Sequence, residues 1–456
     1  MINRVTDSPF AVWQQLTATA SPGVYVVHVP LQQYWLPDAP MLDLAVVFNA
    51  SADNLGVAIV AMSALDALLC EDFDNQASVN FFSSLVAATG AAVINPVSAQ
   101  LLQPVFIPKP WGQEVWYTGI EARGVAGIAD DSGVTPLPWL LAAFPELYGA
   151  VAPVLLKILD PFPDELLGDL YFELHQEKRE VYVVTAIDPK AWPDGKGAIR
   201  FGFDQSVRQQ YDNDHAFVAA YFKAVRDYEV LRRQIDEQLD QLRVAVHLLP
   251  TDPVSPETMR DWLTQIDPVL IAQEQSARDV MNRFTHLKPL ELGDIVKVPT
   301  LLPHSLQHGV RTVEFQTPVY ERMILSFAQK VLTQSHWDTE QALPLMNIDA
   351  PEVIEPVCLA RGEGWQCEQV VDFADFAVER YRLEAGAAMQ FAAESFYRLV
   401  MMVSGKLSLG ELTLCGEQAS LLPAGFPALD LFNNTSDPWI FLLAKPKLSI
   451  TDAIVG

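Results

Sequence analysis

The hydrophobic pattern changes period several times along this chain. Up to residue 105, β-branched runs alternate with helix-spaced ones. VYVVHV, LAVVF and GAAVINP read as strands, and SALDALL and SVNFFSSLVAA carry helical spacing. The longest apolar run, LGVAIVAMSALDALL at 55–69, contains Asp66 and is too short to span a membrane, so it reads as a buried helix. A small α/β appendage is predicted over 1–105. Residues 106–203 are rich in strands, with a helix at LPWLLAAFPELYG. At 204 the period switches. Through about 245, apolar residues recur every three or four positions and charges fall on the opposite face. Pro250, Pro253 and Pro256 interrupt this run. Ser255 is placed to cap a second helical stretch, PETMRDWLTQIDPVLIAQEQSARDVMNRF, with proline at its first position. Strands resume at GDIVKVP. The pattern predicts one β domain over 106–345 carrying a helical insertion at 206–290, then a second β domain over 346–456.

Ionisable residues stand out within the first β domain. In FELHQEKREVYVV, Glu173 and His175 are two apart, on one face of a strand. A tight reversal at Gln176-Glu177 would set Glu173 opposite Glu180 and His175 opposite Lys178. Two carboxylates and an imidazole converging there call for a divalent cation, and such ligands suit zinc and its first-row neighbours. Lys157, inside the apolar run VLLKIL, is a second position where charge is out of place.

Composition narrows the functional classes. The 456 residues carry 30 basic and 57 acidic side chains, a net charge of −27. Such a surface repels nucleic acid and anionic membranes, so neither is expected as a partner. The four cysteines show no pairing pattern and no secretory signal is visible, so a cytoplasmic, reducing location is expected.

Five stretches resemble, in order, the motifs of type I mannose-6-phosphate isomerases. KPWGQEVWYTG at 109–119 resembles that family's entry motif. PVLLKILDPFPDELLGDLYFELH resembles "P-x-L-x-K-x-L-…-L-S-x-Q-x-H", and KREVYVV resembles "K-x-E-x-W-Y". AIRFGFD resembles "I-x-x-G-F". GDIVKVPTLLPHSLQHGVRTVEFQTPVYER resembles "G-D-x-x-x-I-P-A-G-x-x-H-A-x-x-x-G-x-x-x-x-E-x-Q-…-Y-R". From 350, "V-x-G-x-L…G-E…L-P-A-G" resembles a cupin, a small antiparallel jelly roll. The expected fold is therefore mainly β: two cupin domains, a helical insertion and the N-terminal α/β appendage. Packing or homo-oligomerisation is the expected role of that appendage.

The resemblance implies a zinc-dependent aldose–ketose isomerase converting mannose 6-phosphate to fructose 6-phosphate through an enediol. It adds His304, in the family's third-strand metal position, to Glu173, His175 and Glu180. It gives Lys157 and Lys178 roles in orienting oxygens and moving protons, and Arg322 the place of the family arginine. Glu173 stands where the family usually has glutamine, which adds negative charge. The alternatives are a non-catalytic sugar-binding or regulatory cupin, or an isomerase of an unphosphorylated sugar. The second cupin has no histidine and is expected to be structural, its interior filled by Phe396, Leu399 and Met401.

Overall fold

The computed structural model describes residues 2–51, 54–70, 81–149, 152–249, 251–352 and 355–447. The architecture is mainly β. Two compact units are formed by non-contiguous segments. One gathers Met1–Val105, Trp116–Lys157 and Pro356–Gly456; the other gathers Phe106–Val115 and Ile158–Glu355.

The second unit is a sandwich with a helical layer. Its six-stranded sheet includes Glu180–Ile187, paired with Ile295–Val298 on one side and Val310–Gln316 on the other. Its five-stranded sheet runs through Thr285–Leu290, Gly197–Phe203, His304–Leu306, Phe172–Leu174 and Met323–Ser326. Tyr182, Val184 and Val310 from the first sheet and Ile199, Phe201, Leu306 and Ile324 from the second pack into one core. Strand alternation turns Phe172, Leu174 and Leu325 outward, and a register shift between Arg200 and Phe203 does the same for Phe203; they meet Phe217, Tyr221, Val225 and Tyr228 of the long helix.

That helix, Asp214–Ala245, starts where Asn213 accepts the amide of Ala216 at 3.0 Å. Ser255 caps the next helix, Pro256–Leu263, as its sequence predicts. The stretch expected to continue as one helix breaks before Pro268. Proline lacks an amide and restricts the preceding residue, so Asp267 caps a new helix, Pro268–Asn282.

The first unit holds a four-stranded sheet, Ile2–Val5, Gly23–Gln32, Met41–Ala50 and Leu55–Ala61, with helices including Met62–Cys70 and Phe81–Thr89. The run at 55–69 is thus half strand and half helix, because its β-branched VAIV portion pairs with Met41–Ala50. GAAVINP contributes only a bridge, Ile94 to Val57. Residues 78–80 of SVNFFSSLVAA lie outside the described residues. The C-terminal strands form a nine-stranded sheet that also takes in Gln100–Gln103, Gly127–Asp130 and Gly133–Pro136. Its inner core is Val400, Met402, Leu407, Leu414 and Phe441. Leu399 and Met401 are buried but lie outside that cluster, and Phe396 is only half-buried, so the expected interior was one residue out of phase.

Candidate metal centre

The tight hairpin expected at Gln176-Glu177 does not form. Glu173 pairs with His304 and Ile324 in one sheet, while Glu180 pairs with Gln316 and Val298 in the other. Residues 175–179 cross from sheet to sheet at the end of the sandwich. Gln-Glu lacks the positive-φ residues that a two-residue reversal needs. The side chains still converge, because both strands present them to the shared interior.

Each histidine is held by its Nδ1. His175 donates Nδ1–H to the carbonyl of Glu321 at 2.9 Å, and His304 to the carbonyl of Leu302 at 3.0 Å. In the neutral tautomer that this contact selects, each Nε2 presents a lone pair. Both Nε2 atoms are buried and without a hydrogen bond, as is Oε2 of Glu173. Ligand atoms of Glu173, His175 and His304 all lie within 4.8 Å of one another. Oε2 of Glu180 stands 3.4 Å from His175 Nε2 and 3.2 Å from His304 Nε2. Its Oε1 meets Lys178 Nζ at 2.5 Å, and Tyr182 donates its hydroxyl to Oε2 at 2.8 Å. Lone pairs and carboxylate oxygens facing one another repel unless a cation lies between them. The donor set fits a divalent first-row metal, with backbone carbonyls fixing the ring orientations.

Electrostatics agree with this arrangement. Burial, with the nearby Lys178 ammonium, pulls the pKa of His175 down and keeps it neutral. Burial works against the Glu180 carboxylate, yet the Lys178 ammonium holds it well below the usual range. Burial and the facing Glu180, Glu314 and Glu173 push Tyr182 well above the usual phenol value.

The loop before His304 is strained. Leu301 has φ of 64° where the resembled pattern has glycine. It persists because its amide donates to the His175 carbonyl at 2.7 Å and its carbonyl accepts from Asn347 at 2.8 Å. One loop thus anchors both histidines.

The remaining expected residues are placed as follows. Arg322 reaches the site: Nη1 lies 3.8 Å from Glu173 Oε2, Nη2 donates to Thr333 at 2.7 Å, and the guanidinium sits 4.6 Å over the Tyr171 ring. Burial opposes its charge, but Glu173 keeps the pKa raised. Lys178 is in the cluster. Lys157 is buried in the strand Leu155–Pro161. Trp111 is a core residue, and its neighbour Gly112 passes so close to Asp160 that a Cβ would clash with the carbonyl. The sequence reading missed Glu321, Tyr182 and Tyr171. Alternation from Glu180 and Glu173 pointed to the two tyrosines; Glu321 carried no signal. A cavity of about 370 Å³ lined by Arg200, Arg278, Trp192 and His308 shares none of the cluster's residues.

A two-sheet sandwich with inward histidines and carboxylates is a cupin-like arrangement with a candidate metal site. The comparison with solved structures then specifies the fold, which is that of mannose-6-phosphate isomerases. The Bacillus subtilis mannose 6-phosphate isomerase is similar with a TM-score of 0.50 and 15% identity, over 76% of this chain and 99% of that one. A point mutant of phosphomannose isomerase from Salmonella typhimurium gives 0.53 and 14%, over 77% and 100%. A zinc-bound mannose 6-phosphate isomerase gives 0.52 and 12%, over 77% and 100%. No family model and no curated protein sequence matches the chain.

Proposed function

We propose that this protein is a divalent-metal-dependent aldose–ketose isomerase of a sugar or sugar phosphate, with mannose 6-phosphate as the first substrate to test. The observation that carries the reading is the convergence of the two imidazole Nε2 atoms and Glu173 in the sandwich interior, with no hydrogen bond to satisfy them. Glu173, His175, Glu180 and His304 would hold the metal, zinc being the ion of one structural neighbour. When bound, the metal supplies a Lewis acid that polarises a sugar oxygen.

The rest of the chemistry falls to the chain. Isomerisation moves a proton between C1 and C2 through an enediol. Lys178, poised by Glu180, and Lys157, buried in its strand, would carry protons or donate hydrogen bonds to substrate oxygens. Arg322 would face the charge that develops on the enediol oxygens. Tyr171 would set the plane of that guanidinium.

One observation favours an unphosphorylated sugar. Lys178 and Arg322 already face Glu180 and Glu173, and the net charge of −27 disfavours an anionic substrate at long range. The test combines metal analysis of the purified protein with isomerase assays on mannose 6-phosphate and on mannose. Bound metal with turnover of mannose 6-phosphate supports the phosphorylated reading, and turnover of mannose alone the second. Bound metal with neither activity leaves a sugar-binding module; absence of bound or titratable metal overturns both isomerase readings and leaves only a non-catalytic cupin. Among the described residues no helix is long and apolar enough to cross a membrane, and the four cysteines are free. Both are compatible with the cytoplasmic location we propose.

A further inference from the structure

The C-terminal β region contains a cavity of about 260 Å³ lined by Trp365, Tyr381, Met389, Phe391, Arg398 and Lys445, together with Glu379 and Glu394. Strands Phe376–Leu383, Trp439–Pro446 and Arg398–Ser404 are neighbours in one sheet. The pairing of Leu399 with Ala444 sets Arg398 beside Lys445 on one face. Two cations side by side on one face repel. Lys445 is compensated: its Nζ lies 2.8 Å from Glu379 and 3.6 Å from Glu394.

Arg398 is not. It is only 1% exposed, and no carboxylate of the described residues stands within ion-pair distance. Nη1 donates to the carbonyl of Ala392 at 2.6 Å, and the guanidinium packs 4.6 Å from the Phe391 ring. Nε and Nη2 are buried and have no hydrogen-bond partner. These two nitrogens share one edge of the planar group. That edge is the fork which takes a carboxylate or phosphate through two parallel bonds. A buried cation with unmet donors is costly. Burial pulls its pKa down, against the opposing influence of Glu394.

We propose that this cavity binds a small organic oxyanion, a carboxylate or a phosphate ester. Its head group takes the Nε and Nη2 edge of Arg398, and its body lies against Trp365 and Tyr381. The site is independent of the isomerase reading, because it shares no residue with the histidine cluster.

The test uses the full chain labelled with ¹³C-methyl methionine, since Met389 lines the cavity. Met389→Leu assigns its signal. Inorganic phosphate and acetate are titrated separately with EDTA present, which keeps metal off the histidine cluster. The expected result is a saturable shift of the Met389 signal by at least one probe. Arg398→Lys, which keeps the charge but loses the fork, should bind at least tenfold more weakly. Arg398→Gln, which keeps a donor for Ala392, should abolish the response. Phosphate acting alone identifies a phosphate ester, and acetate alone a carboxylate. Absence of a saturable shift in the wild type with both probes overturns the proposal without any variant. A response unchanged in Arg398→Lys and Arg398→Gln overturns it equally.

Discussion

Glu321 holds the His175 segment at two points. Its carbonyl takes the ring Nδ1–H at 2.9 Å, and its carboxylate accepts the Gln176 amide at 2.9 and 3.0 Å and the Glu177 amide at 3.2 Å. The two residues are 146 positions apart in sequence, yet the contact decides where Nε2 of His175 points. Glu321→Ala keeps the carbonyl but releases both amides. Zinc affinity should fall by about 10–100-fold, the usual range for removing a group that orients a ligand. A competitive chelator titration reads this. Unchanged affinity would remove Glu321 from any positioning role.

One divalent ion should bind per chain, at roughly 2.0–2.2 Å from nitrogen and oxygen ligands. His304→Ala should lose it. The fold should survive, since the sandwich interior is apolar and extends well beyond the cluster. Elemental analysis and the thermal unfolding midpoint report the two effects separately. A variant that keeps full metal content would exclude His304 as a ligand.

How far the sequence revealed this arrangement depends on the distance over which each signal acts. Glu173 and His175 were legible because strand alternation is local. Their convergence with Glu180 was anticipated, but through the wrong geometry: the strands sit in different sheets, and the poor turn chemistry of Gln176-Glu177 was the one local sign against a hairpin. Leu301 shows the same limit. A leucine in the left-handed region is tolerated only because His175 and Asn347 hold its backbone. The break before Pro268 and the strand within 55–69 were readable in the residues themselves. There, the helical period was given weight over proline and β-branching.

Acid should destabilise the metal-free protein through Glu180. Its carboxyl titrates well below the ordinary 4.5 in the folded chain, so the unfolded chain binds the proton first as pH falls. The stabilisation is therefore present above about pH 4.5 and is lost as pH drops towards the folded value. Urea unfolding at pH 6 and pH 4 should show this loss. Glu180→Gln should flatten that part of the profile; an equal slope in the variant would assign it to other carboxylates.

Thiol reactivity should separate the cysteines. Cys70, Cys358 and Cys415 are exposed, whereas burial pushes the pKa of Cys367 up from 9.0 to about 11. The thiolate is the reactive form, so two pKa units cost about 10²-fold in rate near pH 8. Iodoacetamide labelling followed by peptide mass spectrometry should find Cys367 slowest by at least that factor. Labelling at the rate of the other three would show that Cys367 is open to solvent.

The chemistry turns on the two lysines, and their settings differ. Lys178 is bound to Glu180 at 2.5 Å, so removing it also strips the counter-charge from a buried carboxylate. Lys178→Met should weaken metal binding and activity together. Lys157 sits in the apolar run of its strand, and Lys157→Met keeps the volume while deleting the amine. If that amine moves the proton, metal should be retained while isomerase activity falls by about 10²-fold or more, the usual contribution of a positioned acid–base group. The assay is mannose 6-phosphate isomerisation, then mannose, with metal content measured on the same samples. Undiminished activity in Lys157→Met would take that residue out of the mechanism and leave Lys178 to carry the proton.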